Sequence, residues 1–307
     1  MKSLRVFLSV AGFAFGALAL NAPPVLAQFS YEQAHSDSGI PRRPLAAIDQ
    51  EFAGLASAQG HRADWIQYGT SVSGKRLMVL KVHDKNFRNT PGNLRPAILI
   101  SEGIHGNEYL HITDRLPFEF MKPGQQNPAF EAFLAAGGVV YFVPVMNPDG
   151  YSAGRRENAR GADLNRDFRI QAAGNQGFVQ PETRSITDFI ASESLSGDLL
   201  IEASMEYHCC IGGLIHPWAY NPQQYLTGEQ LARHQEIGEI VSNLFSYPYG
   251  TVNDLLGYWA IGGSDDYYLE KYGRRAFSFE GARGSEDKKL QQHVTLWNRV
   301  FDIVLAK

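Results

Sequence analysis

Apolar and polar residues follow one another along the chain in blocks that predict helices and strands in turn. From Leu45 to Gly60 the apolar residues recur at helical spacing, which predicts a helix. Two strand-like runs follow at 65–68 and 77–82, on either side of a Ser-Gly-Lys turn at 73–75. The continuous apolar run 97–100 is typical of a strand buried on both faces.

The same alternation continues to the end of the chain. The pattern predicts helices at 110–121, 227–245 and 288–305, and Thr-Gly-Glu-Gln at the start of the second forms a capping box. It predicts strands at 139–145, 199–203 and 276–279. Strands that alternate with helices predict an α/β fold, here a single domain with a mixed, mostly parallel twisted sheet and helices on both faces. Ligands of such sheets bind beyond the carboxyl ends of the strands. His105, Asn147, His208 and Glu280 all come just after predicted strands, so we expect them to meet there.

The first 27 residues have the features of an export signal. Two basic residues are followed by the apolar run 6–20, and small residues precede Gln28. This run of 15 residues is shorter than the roughly 20 that a membrane span needs. We therefore expect a signal peptide at 1–27, an N-terminal arm at 28–44 and one large domain at 45–307. The protein is expected to be secreted or periplasmic, with no stable membrane insertion after cleavage.

Charge and cysteine content narrow the set of partners. Without residues 1–27 the chain carries 26 basic and 32 acidic residues, a formal charge of −6. No basic stretch remains, so we expect no nucleic-acid partner, and we expect a monomer.

The two cysteines, Cys209 and Cys210, are adjacent, and neighbouring cysteines rarely bridge. We expect two small buried side chains, while a redox role or a role near a metal stays open.

His105-Gly-Asn-Glu108, followed a hundred residues later by His208, is typical of a catalytic zinc site. Two imidazoles and one carboxylate leave a fourth zinc position open for water. A His and a Glu three residues apart are common by chance, so the other polar motifs give this set its weight. They are Asn147-Pro-Asp-Gly150, Arg156, Asp163-Leu-Asn-Arg166, Tyr258 and Glu280. We therefore predict one zinc ion per chain.

Taken in order, these motifs resemble those of the zinc metallocarboxypeptidases of the carboxypeptidase A and B type, peptidase family M14. The resemblance covers roughly residues 45–305. It implies that His105, Glu108 and His208 bind zinc and that the C-terminal peptide bond of a peptide is hydrolysed. It further implies that Glu280 is the general base, that Arg156 polarises the scissile carbonyl and that Tyr258 closes over the substrate.

The same resemblance implies how substrate is held. Asp163 would accept a hydrogen bond from His105, and Asn165 and Arg166 would hold the terminal carboxylate, Arg166 in a bidentate pair. Asp265 follows a Gly-Gly-Ser sequence and would lie at the base of the pocket for the terminal side chain. A buried carboxylate there favours C-terminal Lys or Arg. The alternative that Asp265 is a solvated loop acid or a helix N-cap stays open.

Three other functions stay open at this point. A peptidoglycan stem-peptide amidase would cut before meso-diaminopimelate, whose amine Asp265 could bind as well as it binds that of lysine. An N-acyl amino acid deacylase shares the His-Gly-Asn-Glu and Asp-Leu-Asn-Arg sequences, but the export signal and the segments 147–150 and 258–265 favour a peptidase. A binding module with an inactive site is disfavoured by intact Glu280 and Arg156 and by the intact ligand set.

Overall fold

The computed structural model describes residues 38–125 and 127–306. The predicted signal peptide and residues 28–37 of the predicted arm lie outside the described residues. One mixed sheet is formed by β1 (Ala63–Thr70), β2 (Arg76–His83), β3 (Arg95–Glu102), β4 (Val139–Val143), β5 (Leu199–Ile215), β6 (Tyr249–Gly250) and β7 (Arg275–Ala282). The order is β1-β2-β4-β3-β5-β6, and β7 also pairs with β5. Strand β2 is antiparallel to β1 and β4, whereas every other pair is parallel.

Helices cover both faces of this sheet, which confirms the predicted fold class. They are α1 (Leu45–Ala58), α2 (Leu116–Phe120), α3 (Pro128–Ala135), α4 (Pro148–Ala153), α5 (Pro181–Gly197), α6 (Gly228–Phe245), α7 (Val252–Leu256), α8 (Ser264–Tyr272) and α9 (Leu290–Leu305). Short 3-10 turns lie at Leu164–Arg166 and Glu286–Lys289. Within the described ranges, no helix is both long enough and apolar enough to cross a membrane.

Strand β3 shows why the apolar run 97–100 is continuous. Successive side chains of a strand point to opposite faces. Ile98 and Ile100 accordingly join the larger core cluster, which holds Phe52 of α1 and Phe301 of α9. Ala97 and Leu99 join the second cluster, on the other face, with residues of α5 and α8. A strand covered on both faces needs apolar residues at every position.

Two predicted strands have different limits in the structure, and this places the site residues differently. Strand β5 runs to Ile215 instead of ending at 203, so His208 lies within it. Glu280 likewise lies within β7, in register with His208. His105 and Asn147 do follow the ends of β3 and β4 as expected. The longer β5 was not predicted because buried polar residues interrupt its apolar pattern.

The predicted helix 110–121 is wrong over its first half. Residues 103–115 form an irregular loop, and α2 begins only at Leu116. The buried carboxylate of Glu102 accepts the N–H groups of residues 110, 111, 112 and 113, at 2.5, 3.0, 3.2 and 2.7 Å. His111 adopts a left-handed φ of 63°. A side chain that takes four successive N–H groups replaces the helical hydrogen bonds of this segment.

Two smaller predictions also need correction. Thr227 is the N-cap of α6, but its side chain makes no capping hydrogen bond, whereas a complete capping box opens α7 at Thr251 and Asp254.

Cys209 and Cys210 are joined in a disulfide, so the prediction of two unbridged cysteines is wrong. The register of β5 against β7 shifts directly after Cys210, and this irregularity removes the usual alternation of side chains. Cys209 is fully buried, as expected, but Cys210 is only partly buried.

Replacing Glu102 by leucine is expected to destabilise the fold strongly. The change replaces the carboxylate by an apolar side chain of similar size and leaves four buried N–H groups without their acceptor. At about 1–3 kcal/mol for each unsatisfied group, a loss of about 4 kcal/mol or more in the free energy of unfolding is expected. Urea unfolding of Glu102→Leu, with Glu239→Leu on the exposed side of α6 as the control, measures it. Equal stability of the two variants would contradict this role.

Candidate active site

The three predicted metal ligands come together at the centre of the sheet. His105 and Glu108 lie on the loop after β3, His208 lies on β5, and all three are buried. Their candidate ligand atoms lie within 4.8 Å of one another. The two Nδ1 atoms are 3.2 Å apart, and Oε2 of Glu108 lies 2.9 Å from His105 Nδ1 and 3.1 Å from His208 Nδ1. Ligand atoms around tetrahedral zinc are about 3.3 Å apart, so this donor set fits the ion.

The charge states of Glu108 and His208 suit a cation. Burial lowers the pKa of His208 to about 4, so its imidazole is neutral and carries a free lone pair. Burial acts to raise the pKa of Glu108, but the adjacent His105 overrides it and keeps this pKa below its ordinary value. Burial also acts to lower the pKa of His105, yet the carboxylate of Glu108 raises it. A metal ion that binds here therefore competes with protonation of His105.

Asp163 orients the groups around His105. Its Oδ1 lies 3.0 Å from His105 Nε2 and accepts the N–H of Asn165 at 2.9 Å. Its Oδ2 accepts from Nε and Nη2 of Arg156 at 3.0 and 2.9 Å. An imidazole that donates from Nε2 to a carboxylate presents the lone pair of Nδ1 on its other side. The contact therefore directs Nδ1 of His105 toward the other two ligands.

Arg156 lies beside the ligand set and adds positive charge there. Its Nη1 donates to Glu108 Oε1 at 2.8 Å and lies 3.0 Å from His105 Nδ1. The Nδ1 atom has one lone pair, so a metal ion and the guanidinium cannot both use it. Arg156 keeps its two hydrogen bonds to Asp163 in either case.

Asn147 explains the Asn-Pro-Asp-Gly motif. Its Oδ1 caps α4 by accepting the N–H of Gly150 at 2.8 Å, and its Nδ2 donates to the carbonyls of Ile104 and Arg156, both at 3.2 Å. The motif therefore joins the metal-binding loop to the segment of Arg156. Gly106 packs so closely on α4 that a Cβ atom there would lie 2.1 Å from the carbonyl carbon of Gly150. Only glycine fits at this contact.

Glu280 faces the same region from β7. It pairs in register with His208, and its buried Oε2 has no hydrogen-bond partner among the described residues. Burial, followed by the charge of Glu108, raises the pKa of Glu280 well above its ordinary value. A buried, unpartnered carboxyl group of raised pKa is typical of a proton-transfer group.

One cleft contains nearly the whole predicted site. Besides the metal ligands it is lined by Arg156, Asn165, Arg166, Tyr258, Asp265 and Glu280, and Asp163 lies behind His105. Sequence reasoning missed the cleft walls, which include Ile215, Ala219, Val252, Ala260 and Ser278. Ser278 could have been found, because a residue two positions before Glu280 lies on the same strand face. The apolar walls carry no signal that distinguishes them from core residues.

Asp265 is 4% exposed, which contradicts its interpretation as a solvated loop acid. It is not the N-cap of α8 either, because that residue is Gly263; Asp265 lies in the first turn, accepts backbone N–H groups there and lines the cleft. Burial raises the pKa of Asp265 to about 6. The next residue, Asp266, accepts the N–H groups of Ala219 and Tyr220 and holds that wall against α8.

A family profile described as zinc carboxypeptidase matches residues 48–294. The chain belongs to this family. The predicted family is thereby confirmed, and the members of this carboxypeptidase family depend on zinc.

Curated relatives of this zinc carboxypeptidase family member are distant. Carboxypeptidase A1 of Bos taurus is 26% identical over 248 residues, which is 70% of this chain and 56% of that protein. Carboxypeptidase M of Mus musculus is 27% identical over 228 residues, which is 65% of this chain and 50% of that protein. The chain thus spans about half the length of these relatives.

Solved carboxypeptidase structures share the fold. Bovine thrombin-activatable fibrinolysis inhibitor, in complex with tick carboxypeptidase inhibitor, aligns with a TM-score of 0.65 and 19% identity, over 87% of this chain and 98% of that one. Carboxypeptidase A from Helicoverpa armigera aligns with a TM-score of 0.66 and 16% identity, over 90% and 78%. At these identities the likeness shows the fold alone.

Zinc binding by this family member is expected to weaken as the pH falls. The pKa of His105 is raised in the metal-free protein, so its proton competes with the ion over the range in which that ring titrates. The number of protons released for each zinc bound should therefore rise toward about one as the pH is lowered. Calorimetry in buffers of different ionisation enthalpy counts the protons. A proton count of zero at every pH would show that His105 is already neutral.

Proposed function

We propose that this chain is an exported zinc-dependent carboxypeptidase that removes the C-terminal residue of peptides, with a preference for basic residues. The observation that carries the proposal is the carboxyl group of Glu280. Its buried Oε2 has no hydrogen-bond partner among the described residues, and it shares a cleft with a three-residue metal-ligand set and two arginines. Export is supported by the sequence of residues 1–27.

His105, Glu108 and His208 would hold one zinc ion, which when bound acidifies water and polarises a carbonyl. Glu280 takes the proton of the attacking water and later delivers it to the leaving amine. Its raised pKa makes it a stronger base than an exposed carboxylate. The same charge of Glu108 that raises this pKa would be offset by a bound cation, which favours the ionised base.

Two arginines stabilise two different negative charges of the substrate. Arg156 is fixed by Asp163 through two hydrogen bonds, and it stabilises the negative charge that develops on the scissile carbonyl. Arg166 and Asn165 line the same cleft and hold the terminal carboxylate of the substrate. Tyr258 interacts with Arg166 and shields the scissile bond from solvent.

The preference for basic residues rests on Asp265 and the apolar walls of the cleft. Ile215, Ala219 and Val252 provide apolar walls that suit the methylene groups of lysine or arginine. Asp265 lines the same cleft and is buried, and Arg166 acts on its charge without forming an ion pair with it. A buried carboxylate that lacks a cation partner favours a cationic side chain and disfavours a neutral one.

Glu280→Gln is expected to abolish release of the terminal residue while zinc stays bound. Loss of a general base costs about 10²- to 10⁴-fold in rate. Mass spectrometry of products from the zinc-loaded protein, with Glu239→Gln as the control, measures it. The substrate panel holds peptides ending in Lys, Arg, Leu, Phe and Glu, a muropeptide carrying meso-diaminopimelate, and an N-acyl amino acid.

The products distinguish the proposal from its rivals. Release of terminal Lys or Arg that is lost in the Glu280 variant supports it. Release of diaminopimelate alone would make the protein a stem-peptide amidase, and cleavage of the N-acyl amino acid alone would make it a deacylase. A zinc-loaded protein that releases nothing from the panel would contradict the proposed activity.

The preference for Lys over Leu is expected to grow as the pH rises from 5 to 7.5. The pKa of Asp265 is raised to about 6, so its carboxyl group is protonated and neutral at the lower pH and ionised at the higher. A charge-assisted contact contributes about 1.5–3 kcal/mol, or about 10- to 100-fold in kcat/KM. Titration of Glu280 also changes kcat/KM with pH, but it affects both substrates equally and therefore cancels in their ratio.

Asp265→Asn should make this ratio low and independent of pH, whereas the exposed Asp302→Asn should behave as the unchanged protein does. The measurement is kcat/KM for two peptides that differ only in the terminal residue. An unchanged ratio in Asp265→Asn would remove Asp265 from the specificity pocket.

A further inference from the structure

Residues 38–43, which we term the arm segment, pack against the back of the metal-binding loop. The N–H of Ser38 donates to the carbonyl of Asn107 at 3.1 Å, and the carbonyl of Ser38 accepts the N–H of Gly284 at 2.7 Å. Ser38 is fully buried. Asn107 lies between His105 and Glu108, and Gly284 follows the strand of Glu280. One residue of the arm segment thus joins the two parts of the site.

A second set of contacts places arm-segment groups beneath the loop. His111 Nε2 lies 2.7 Å from the carbonyl of Pro41, and His111 Nδ1 lies 3.2 Å from Asp114 Oδ2. Arg43 Nη1 donates to the same Asp114 oxygen at 2.7 Å, and Asp114 is fully buried. Both nitrogens of His111 therefore face acceptors, and the Arg43 guanidinium lies against the buried Asp114. The positive charge of Arg43 offsets the charge of Asp114.

A third contact reaches the helix on which the loop rests. Arg42 Nη1 donates to the carbonyl of Tyr151, and the Tyr151 hydroxyl donates to the carbonyl of Arg43 at 2.6 Å. The ring of Tyr151 packs edge-on against Tyr109, next to the ligand Glu108. Helix α4 is also the element that Gly106 touches. The arm segment thus holds the loop both directly and through α4.

We propose that the arm segment is a positioning element of the metal site, which sets the zinc affinity of His105 and Glu108. These two ligands lie on residues 103–115, which form no helix or strand. Ligands on an irregular loop bind tightly only when other contacts order the loop before the ion arrives. The inference rests on the metal site of the proposed function, and it assigns a task to residues that precede the core helix α1.

Arg43→Gln tests the cluster beneath the loop. It is expected to weaken zinc binding about tenfold, the lower end of the cost of removing a group behind a metal ligand. Arg43→Lys, which keeps the cation, should recover most of the affinity. Glu51→Gln removes the other partner of Arg43, leaves Asp114 paired, and should bind zinc as the unchanged protein does. Affinity is measured by competition with a chromophoric chelator.

Gly39→Ala provides a second test that leaves every charge in place. Gly39 has a φ of +73° that alanine adopts poorly, and it packs over Gly284. Gly74→Ala carries the same strain at a φ of +80° in the open turn between β1 and β2, so it is the matched control. Both variants should lose similar stability in thermal melts without metal, but only Gly39→Ala should weaken zinc binding. The visible absorption of the cobalt-loaded protein should change in the same variant alone.

The outcomes separate this inference from the proposed function. If Glu108→Ala binds zinc as tightly as the unchanged protein does, the metal site itself is wrong. If Glu108→Ala loses zinc but Arg43→Gln and Gly39→Ala keep full affinity and an unchanged cobalt spectrum, the arm segment is only structural and the inference fails. Weaker binding in both arm variants with intact controls supports it.

Discussion

The enclosure of four carboxyl groups around one cleft is the constraint on which this site depends: Glu108 and Asp265 are buried, and Asp163 and Glu280 are partly buried. Glu108 and Asp163 are matched by His105 and Arg156, and each has its pKa held below the ordinary value despite burial. Glu280 and Asp265 are not matched in this way, and burial raises the pKa of both. The protein alone therefore provides no matching positive charge for these two carboxyl groups, one of which lies beside the metal ligands. Under the proposed function, a divalent cation and a cationic substrate side chain would supply it.

The sheet makes this arrangement possible because it provides both rigid and irregular supports. His208 and Glu280 lie side by side on the paired strands β5 and β7, where the backbone hydrogen bonds fix their separation. His105 and Glu108 lie on the loop after β3, and this loop gains its order from Glu102, Asn147 and the arm segment. Half of the site is thus positioned by secondary structure and half by buried polar contacts, which are more sensitive to single substitutions.

Sequence periodicity predicted the fold class and most elements, because strands covered on both faces and amphipathic helices leave strong patterns. It failed where buried polar groups replace regular hydrogen bonds. The helix expected from 110 was wrong because Glu102 takes the N–H groups of that segment. The length of β5 was missed because Glu206 and His208 are buried polar residues within it. The site residues came from ordered motifs, whereas the walls at Ile215 and Val252 share their chemistry with the core.

The contact of Gly106 with Gly150 has a consequence for how sequences of this kind can vary. Two backbones meet there with no side chain between them, and a Cβ atom at 106 would overlap the main chain of α4. A substitution at 106 cannot be accommodated by trimming a neighbouring side chain, because the obstacle is the peptide itself. It would need a compensating displacement of the whole segment 147–151. Positions 106 and 147–151 are therefore structurally coupled, and directed evolution of this site would have to change them together.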